Sequence, residues 1–158
     1  MKKISMLFII AWFGFSIQAQ DYKGSETNKT TEDKLNDEYC SGLFKTTDGT
    51  ILDVASSISA GSYLNILDWM DGRVAGLQVY TVGSGIRVPV IRGSVPGIYL
   101  DEMPVSLNYL SMINTNDIAI VKVIKTPFYG GFNGGGGAIA IYTLGTEEDD
   151  TSTDSATR

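Results

Sequence analysis

The segments Asp117-Ile-Ala-Ile-Val-Lys-Val-Ile-Lys125 and Ala138-Ile-Ala-Ile-Tyr-Thr143 are apolar at nearly every position and rich in β-branched residues. Runs of this kind suit strands that are covered on both faces of a sheet. The intervening Thr126-Pro-Phe-Tyr-Gly-Gly-Phe-Asn-Gly-Gly-Gly-Gly137 contains a proline and six glycines, which end regular structure and permit backbone angles closed to other residues. We therefore predict two buried strands, joined by a glycine-rich loop, at the centre of a sheet.

The first 19 residues carry the pattern of a secretory signal peptide. Lys2 and Lys3 precede an apolar core from Ile4 to Phe15, and the small residue Ala19 marks a cleavage site. This core is shorter than the run of about 20 residues that spans a bilayer, and a buried N-terminal helix is the weaker alternative. We therefore predict that residues 1–19 are a signal peptide and that the protein is exported.

Both ends of the remaining chain are acidic, rich in Ser and Thr, and poor in apolar residues. This composition predicts a disordered polar linker over residues 20–44 and a disordered acidic tail over residues 145–158. The formal net charge is −6, and no basic patch is interleaved with aromatic residues, so nucleic acid is not expected as a partner. Residues 45–144, roughly one hundred in number, are enough for one modest domain.

Within that domain, the sequence predicts an α+β fold with a small mixed β-sheet and two short flanking helices. Apolar residues at helical spacing follow Ser62, a plausible N-cap, and end before Gly76. A hairpin of Leu77–Val82 and Ile86–Arg92 comes next, and Pro89 places its second strand at an edge or a bulge. A strand over Ile98–Val105 and a short helix near Leu110 precede the two central strands. The segment around Ile51 is either a first edge strand or an extended arm.

The content of histidine and cysteine limits the chemistry open to the chain. It has no histidine and a single cysteine, Cys40. A histidine general base, a Ser-His-Asp triad, histidine metal ligation and iron–sulfur clusters are therefore excluded. Asp101 and Glu102 are adjacent, and neighbouring residues of a strand point to opposite faces, so they are not expected to act on one bond. We predict a protein that is not an enzyme and uses no cofactor or metal.

Five pieces of this domain occur in an order that is typical of a known family. They are Asp71-Gly-Arg-Val-Ala-Gly-Leu-Gln-Val79, Val90-Ile-Arg-Gly93, Ile98-Tyr-Leu-Asp-Glu-Met-Pro-Val105, Ile113-Asn-Thr-Asn-Asp-Ile118, and Val123-Ile-Lys125 continued by Tyr129-Gly130 and Gly137-Ala-Ile-Ala-Ile-Tyr-Thr143. Together they resemble the plug domain of TonB-dependent outer-membrane receptors, and most of all the SusC/RagA-like branch of Bacteroidetes. Two positions depart from the family pattern: Glu102 stands where glycine is usual, and Thr115 replaces proline.

The resemblance implies structural roles for the motif residues. They are Gly72, Arg73, Gly76, Arg92, Gly93, Asp101, Pro104, Asn114, Asp117, Lys125, Gly130 and Gly137. Among them, Gly76, Gly93 and Gly130 are expected to allow tight turns. Arg92 is expected to pair with Asp101, and substrate recognition by these two residues is the alternative. The glycine-rich loop carries Tyr129, Phe132 and Asn133, which are candidates to contact a ligand or a partner. Packing of Tyr129 and Phe132 over the sheet edge is the alternative.

The resemblance also implies a function. No alternating segments of the kind that build an outer-membrane barrel follow Thr143, so we expect a plug-like module without a barrel of its own. Such a module is expected in the periplasm or on the periplasmic face of the outer membrane. It would bind an outer-membrane barrel or other envelope protein, or a small nutrient ligand. The alternatives are a free periplasmic ligand-binding domain, a non-functional receptor remnant, and recruitment of a partner by strand addition near Ile51.

Overall fold

The structure is a computed structural model, and it describes residues 29–83, 85–110, 112–130 and 134–145. The predicted signal peptide over residues 1–19, the loop residues Phe132 and Asn133, and the acidic tail beyond Gly145 lie outside the described residues.

A five-stranded mixed sheet forms the centre of the domain. Its strands are β1 (Thr50–Asp53), β4 (Gly97–Leu100), β5 (Met103–Pro104), β6 (Ile118–Ile124) and β7 (Ala138–Thr143), in the spatial order β1-β6-β7-β4-β5. β4 and β7 are parallel, and every other pair is antiparallel. The expected pair of central strands is confirmed, because β6 pairs with β7 and every residue of β6 is buried.

The predicted hairpin is also present, and it forms a separate two-stranded sheet. Its strands are β2 (Leu77–Val82) and β3 (Ile86–Ile91), paired from Leu77 opposite Ile91 to Val82 opposite Ile86. The strand that contains Pro89 has one neighbour, as the missing amide donor of proline requires.

The described residues contain four short α-helices rather than the two expected. They are α1 (Thr31–Tyr39), α2 (Gly42–Thr46), α3 (Ile66–Met70) and α4 (Leu107–Leu110). Single 3-10 turns occupy residues 60–62, 115–117 and 134–136.

Helix α3 is shorter than the helix predicted between Ser62 and Gly76. The Asn65 side chain accepts a hydrogen bond from the Leu67 amide at 2.9 Å and starts the helix later than Ser62 would. The helix ends before Gly72, whose φ of 74° is incompatible with a right-handed helix.

The sheet is covered on both faces, and each face has its own apolar core. The first core joins the sheet to α3 and to the base of the hairpin through residues that include Leu67, Met70, Leu77 and Ile91. The second core lies under α1 and α2, where Phe44, Tyr99 and Phe128 form an aromatic cluster with ring centroids 4.6–5.6 Å apart. Burial on both faces accounts for the unbroken apolar runs of β6 and β7.

The prediction of a disordered linker over residues 20–44 is wrong for its described part. Thr30 caps α1 through a reciprocal capping box with Asp33, and the half-buried side chains of Leu35 and Tyr39 pack against the second core. Cys40 and Phe44 are buried there as well. The acidic residues of the segment face solvent, while a sparse apolar stripe attaches it to the sheet.

Strand β1 resolves the alternative left open for the segment around Ile51. Ile51 pairs with Lys122 of β6, so the segment is an edge strand and not an extended arm. Among the described helices, none is both long enough and apolar enough to cross a membrane.

Candidate partner-binding surface

The motif glycines occupy backbone positions that suit them. Gly72, Gly76, Gly93 and Gly137 have φ between 74° and 89°, a region that residues with a Cβ atom rarely adopt. A Cβ atom on Gly137 would collide with the carbonyl oxygen of Ile124, at the end of the neighbouring strand. At Gly130 a Cβ atom would collide with the Phe128 ring. Gly72, Gly76 and Gly93 lie in turns, Gly137 directly precedes β7, and Gly130 permits a close aromatic contact.

The expected ion pair between Arg92 and Asp101 is not formed. The Asp101 carboxylate accepts hydrogen bonds from the amide and the hydroxyl of Thr143, both at 2.9 Å. Asp101 follows the last residue of β4, whereas Arg92 follows β3 and precedes the first residue of β4. The whole length of β4 therefore separates the two side chains along the chain.

The remaining motif residues lie at element ends. Asn114 caps the 3-10 turn of residues 115–117, and the carbonyl of Asp117 accepts a hydrogen bond from the Leu144 amide at 2.9 Å. Arg73 lies over the Trp69 ring, 4.8 Å from its centroid, and donates to the Trp69 carbonyl. Pro104 is exposed on β5, and Lys125 is half-buried just after β6.

In the glycine-rich loop, Tyr129 does not follow the packing alternative. Tyr129 is 86% exposed and does not pack over the sheet, whereas its neighbour Phe128 is buried between Phe44 and Tyr99. Tyr129 thus stays available as a contact residue. The sequence did not reveal that Phe128 is buried. Residues 129–132 after it are all aromatic or glycine, and this segment has no periodicity that distinguishes core from surface residues.

Sequence reasoning also missed the attachment of the N-terminal helices. The Glu102 carboxylate accepts hydrogen bonds from the amide and hydroxyl of Ser41, the residue that starts α2, and from the Tyr142 hydroxyl. Lys122 of β6 is 2% exposed, and its ammonium donates to the Asn36 side chain at 2.7 Å and to the Phe44 carbonyl at 2.5 Å. Burial lowers the pKa of Lys122 from its ordinary value. The lysine within the apolar run of β6 was the one signal in the sequence that polar groups of another segment cover this face of the sheet.

Burial shifts the pKa values of two further titratable groups near this attachment. Burial raises the pKa of the Cys40 thiol, which keeps it in its unreactive protonated form. Burial also raises the pKa of Tyr142. Among the residues that the structure describes, no three histidine, cysteine, aspartate or glutamate side chains are grouped so that they could hold a metal ion.

The hairpin carries the most distinctive exposed surface of the described domain. Its inner face packs on the first core through Leu77, Val79 and Ile91. Strand alternation puts the outward-pointing residues on the opposite face. They are Gln78, Tyr80, Val82, Ile86, Val88 and Val90. We call the five apolar members of this set, Tyr80, Val82, Ile86, Val88 and Val90, the outer hairpin face. Tyr80, Val82 and Ile86 are exposed, and Val88 and Val90 are half-buried.

Comparison with known proteins identifies the architecture. No family model matches the chain, and no curated protein matches it either. Among solved structures, the RagAB peptide importer in its open-open state matches 61% of this chain at 25% identity, with a TM-score of 0.52. The siderophore receptor PirA from Acinetobacter baumannii matches 61% of the chain at 18% identity, with a TM-score of 0.51. The described domain is plug-like.

In each of these comparisons, the present chain matches only a small part of the other protein. A mutant of the ferric enterobactin receptor from Pseudomonas aeruginosa matches 69% of this chain at 18% identity, with a TM-score of 0.53. The present chain covers 12% of the RagAB chain and 17% to 18% of the two receptors. The similarity therefore concerns a small part of much larger transport proteins, and at these identities it establishes the fold.

Proposed function

We propose that this protein is an exported, non-enzymatic, plug-like module that binds a partner protein at the outer membrane. The observation that carries the proposal is a plug-like fold whose hairpin presents an apolar face to solvent: Tyr80, Val82 and Ile86 are 49%, 54% and 45% exposed. Apolar side chains adjacent on one face of a sheet are a common mark of a protein interface.

The chemistry of the described residues supports binding rather than catalysis. The Asp101 and Glu102 carboxylates are hydrogen-bonded to backbone and hydroxyl groups, and the Cys40 thiol is buried. The polar groups of the domain thus hold its segments together. The structural neighbours are an importer and receptors, which agrees with a role in recognition at the outer membrane.

The test is cell fractionation of the native host with a C-terminally tagged copy of the full chain. We expect the processed protein in the outer-membrane fraction and, after mild detergent extraction, in a complex well above the mass of one chain. A tagged periplasmic protein without this fold serves as the control for leakage. Recovery of the protein only as a free monomer in the soluble periplasm would overturn the proposal.

A further inference from the structure

We infer that the outer hairpin face is the docking surface for a protein that presents an apolar patch bordered by carboxylates. This inference rests on the proposed function, because it names the surface and the kind of partner that the plug-like module uses.

Near the tip of the hairpin, the polar side chains lie on the face toward the domain and the apolar side chains lie on the face toward solvent. The cross-strand pair Thr81 and Arg87 lies on the face that points toward the domain, and Arg87 forms an ion pair with Asp68 of α3 at 2.7 Å. On the opposite face, Val82 lies across from Ile86, and Tyr80 lies across from Val88. An isolated domain would place apolar pairs inward and the polar pair outward. The inversion indicates that the outer hairpin face is covered in the functional state.

The shape of this face suits a rigid contact. Four of its five residues are Val or Ile, whose β-branched side chains have few rotamers in a strand. The Tyr80 hydroxyl donates to the Gln78 side chain at 2.7 Å, which fixes the position of the ring. Docking therefore orders few side chains, and the side-chain entropy lost on binding is small.

Charge identifies the chemistry of the partner. Residues 72–100 contain Arg73, Arg87 and Arg92 and no aspartate or glutamate, although the whole chain has a net charge of −6. Arg87 is neutralised by Asp68, whereas Arg73 and Arg92 are exposed. The Arg92 amide donates to the Gly76 carbonyl at 3.3 Å, so Arg92 lies beside the loop that carries Arg73, at the base of the hairpin. A partner with carboxylates next to an apolar patch complements this arrangement.

Two other occupants fit less well. A second copy docked face to face would offer the exposed arginines no complementary charge, because residues 72–100 contain no carboxylate. An anionic lipid surface would repel a chain whose overall charge is −6.

The first part of the test is photo-crosslinking in the native host. The full chain carries p-benzoylphenylalanine in place of Val82, or in place of Ile58, which is 98% exposed and lies outside the hairpin. We expect one discrete protein adduct from position 82 and none of that mass from position 58, and mass spectrometry then identifies the crosslinked protein and peptide. An adduct of two copies of this chain, an adduct with lipid only, or no adduct at position 82 would overturn the inference.

The second part measures affinity for the identified protein after purification. We expect Val82→Asp and Ile86→Asp each to weaken binding at least tenfold, and Arg92→Glu to weaken it and to reduce its dependence on salt. Ile58→Asp is the matched control and should bind as the wild type does. Thermal unfolding midpoints equal to that of the wild type show that the variants are folded. Unchanged affinity of Val82→Asp and Ile86→Asp would overturn the inference while leaving an outer-membrane complex, and hence the proposed function, intact.

Discussion

Glu102 holds Ser41, which lies 61 positions earlier in the chain, through hydrogen bonds to its amide and its hydroxyl. Glu102 has a φ of 67° in the two-residue turn between β4 and β5. A residue with a Cβ atom costs about 1–2 kcal/mol in this left-handed region. The family that the sequence resembles usually has glycine at this position. The carboxylate thus offsets a backbone cost by attaching α1 and α2 to the sheet.

Replacing Glu102 with glycine should remove both the backbone cost and the attachment. We expect Glu102→Gly to relax the turn and to release α1 and α2 from the second core. Hydrogen exchange should then accelerate over residues 31–46 and stay unchanged in the hairpin β2–β3. Glu102→Gln keeps an accepting oxygen without the charge and should give an intermediate rate. Equal exchange rates in all three proteins would show that the contact with Ser41 does not hold the helices.

Thr115→Pro should stabilise the domain. The Thr115 hydroxyl is buried without a hydrogen-bond partner, which is unfavourable by about 1–3 kcal/mol. Thr115 is the first residue of a 3-10 turn, and the preceding Asn114 already has the extended conformation that a residue before proline needs, with φ −71° and ψ 130°. We expect the free energy of unfolding, measured by urea denaturation, to increase by about 1 kcal/mol. Thr115→Val, which removes only the hydroxyl, should gain less. A loss of stability in both variants would contradict this account of the site.

Gly137→Ala should destabilise the domain strongly. The new Cβ atom would meet the Ile124 carbonyl, and the φ of 89° is unfavourable for alanine. We expect a loss of about 2–4 kcal/mol in the free energy of unfolding. The matched control is Gly135→Ala, where a Cβ atom meets no neighbour within 4 Å and φ is not positive. Equal losses in the two variants would mean that the join between β6 and β7 is not as tight as the structure shows.

Lys122 should make stability depend on pH in the alkaline range. Burial lowers its pKa below the ordinary 10.5, so the folded protein loses this proton at a lower pH than the unfolded chain does. Between those two values the unfolded state binds more protons, and the unfolding free energy therefore rises with pH. Lys122→Met should lack this rise.

The measurement is urea unfolding of both proteins at several values between about pH 8 and pH 10, around the ordinary lysine range. Cys40, Tyr99 and Tyr142 have raised pKa values and act in the opposite direction. Both proteins contain these three groups, so the difference between the curves reports Lys122 together with its electrostatic interaction with Cys40. Parallel curves would show that Lys122 is not held as a desolvated ammonium.

The central part of the fold was predictable because its signals are local. The continuous apolar runs of β6 and β7 predict burial on both faces, and the turn residues between β2 and β3 predict the hairpin. The edge position of β1 was left open, since a four-residue strand carries too little pattern to distinguish a strand from an arm.

The N-terminal helices and the outer hairpin face were harder to predict, for two physical reasons. Helix α1 has few apolar residues, and only its capping box and the spacing of Leu35, Tyr39 and Phe44 indicate an attached segment. On the hairpin, simple alternation does not tell which face points inward. That choice depends on tertiary contacts such as the ion pair between Arg87 and Asp68.

The most direct test of the central claim is the distribution of the exported protein between the outer-membrane and soluble fractions, for the wild type and for the double variant Val82→Asp/Ile86→Asp. A plug-like module that docks through its hairpin predicts the wild type in an outer-membrane complex and the folded double variant in the soluble periplasm. A wild type found only as a soluble periplasmic monomer would contradict it.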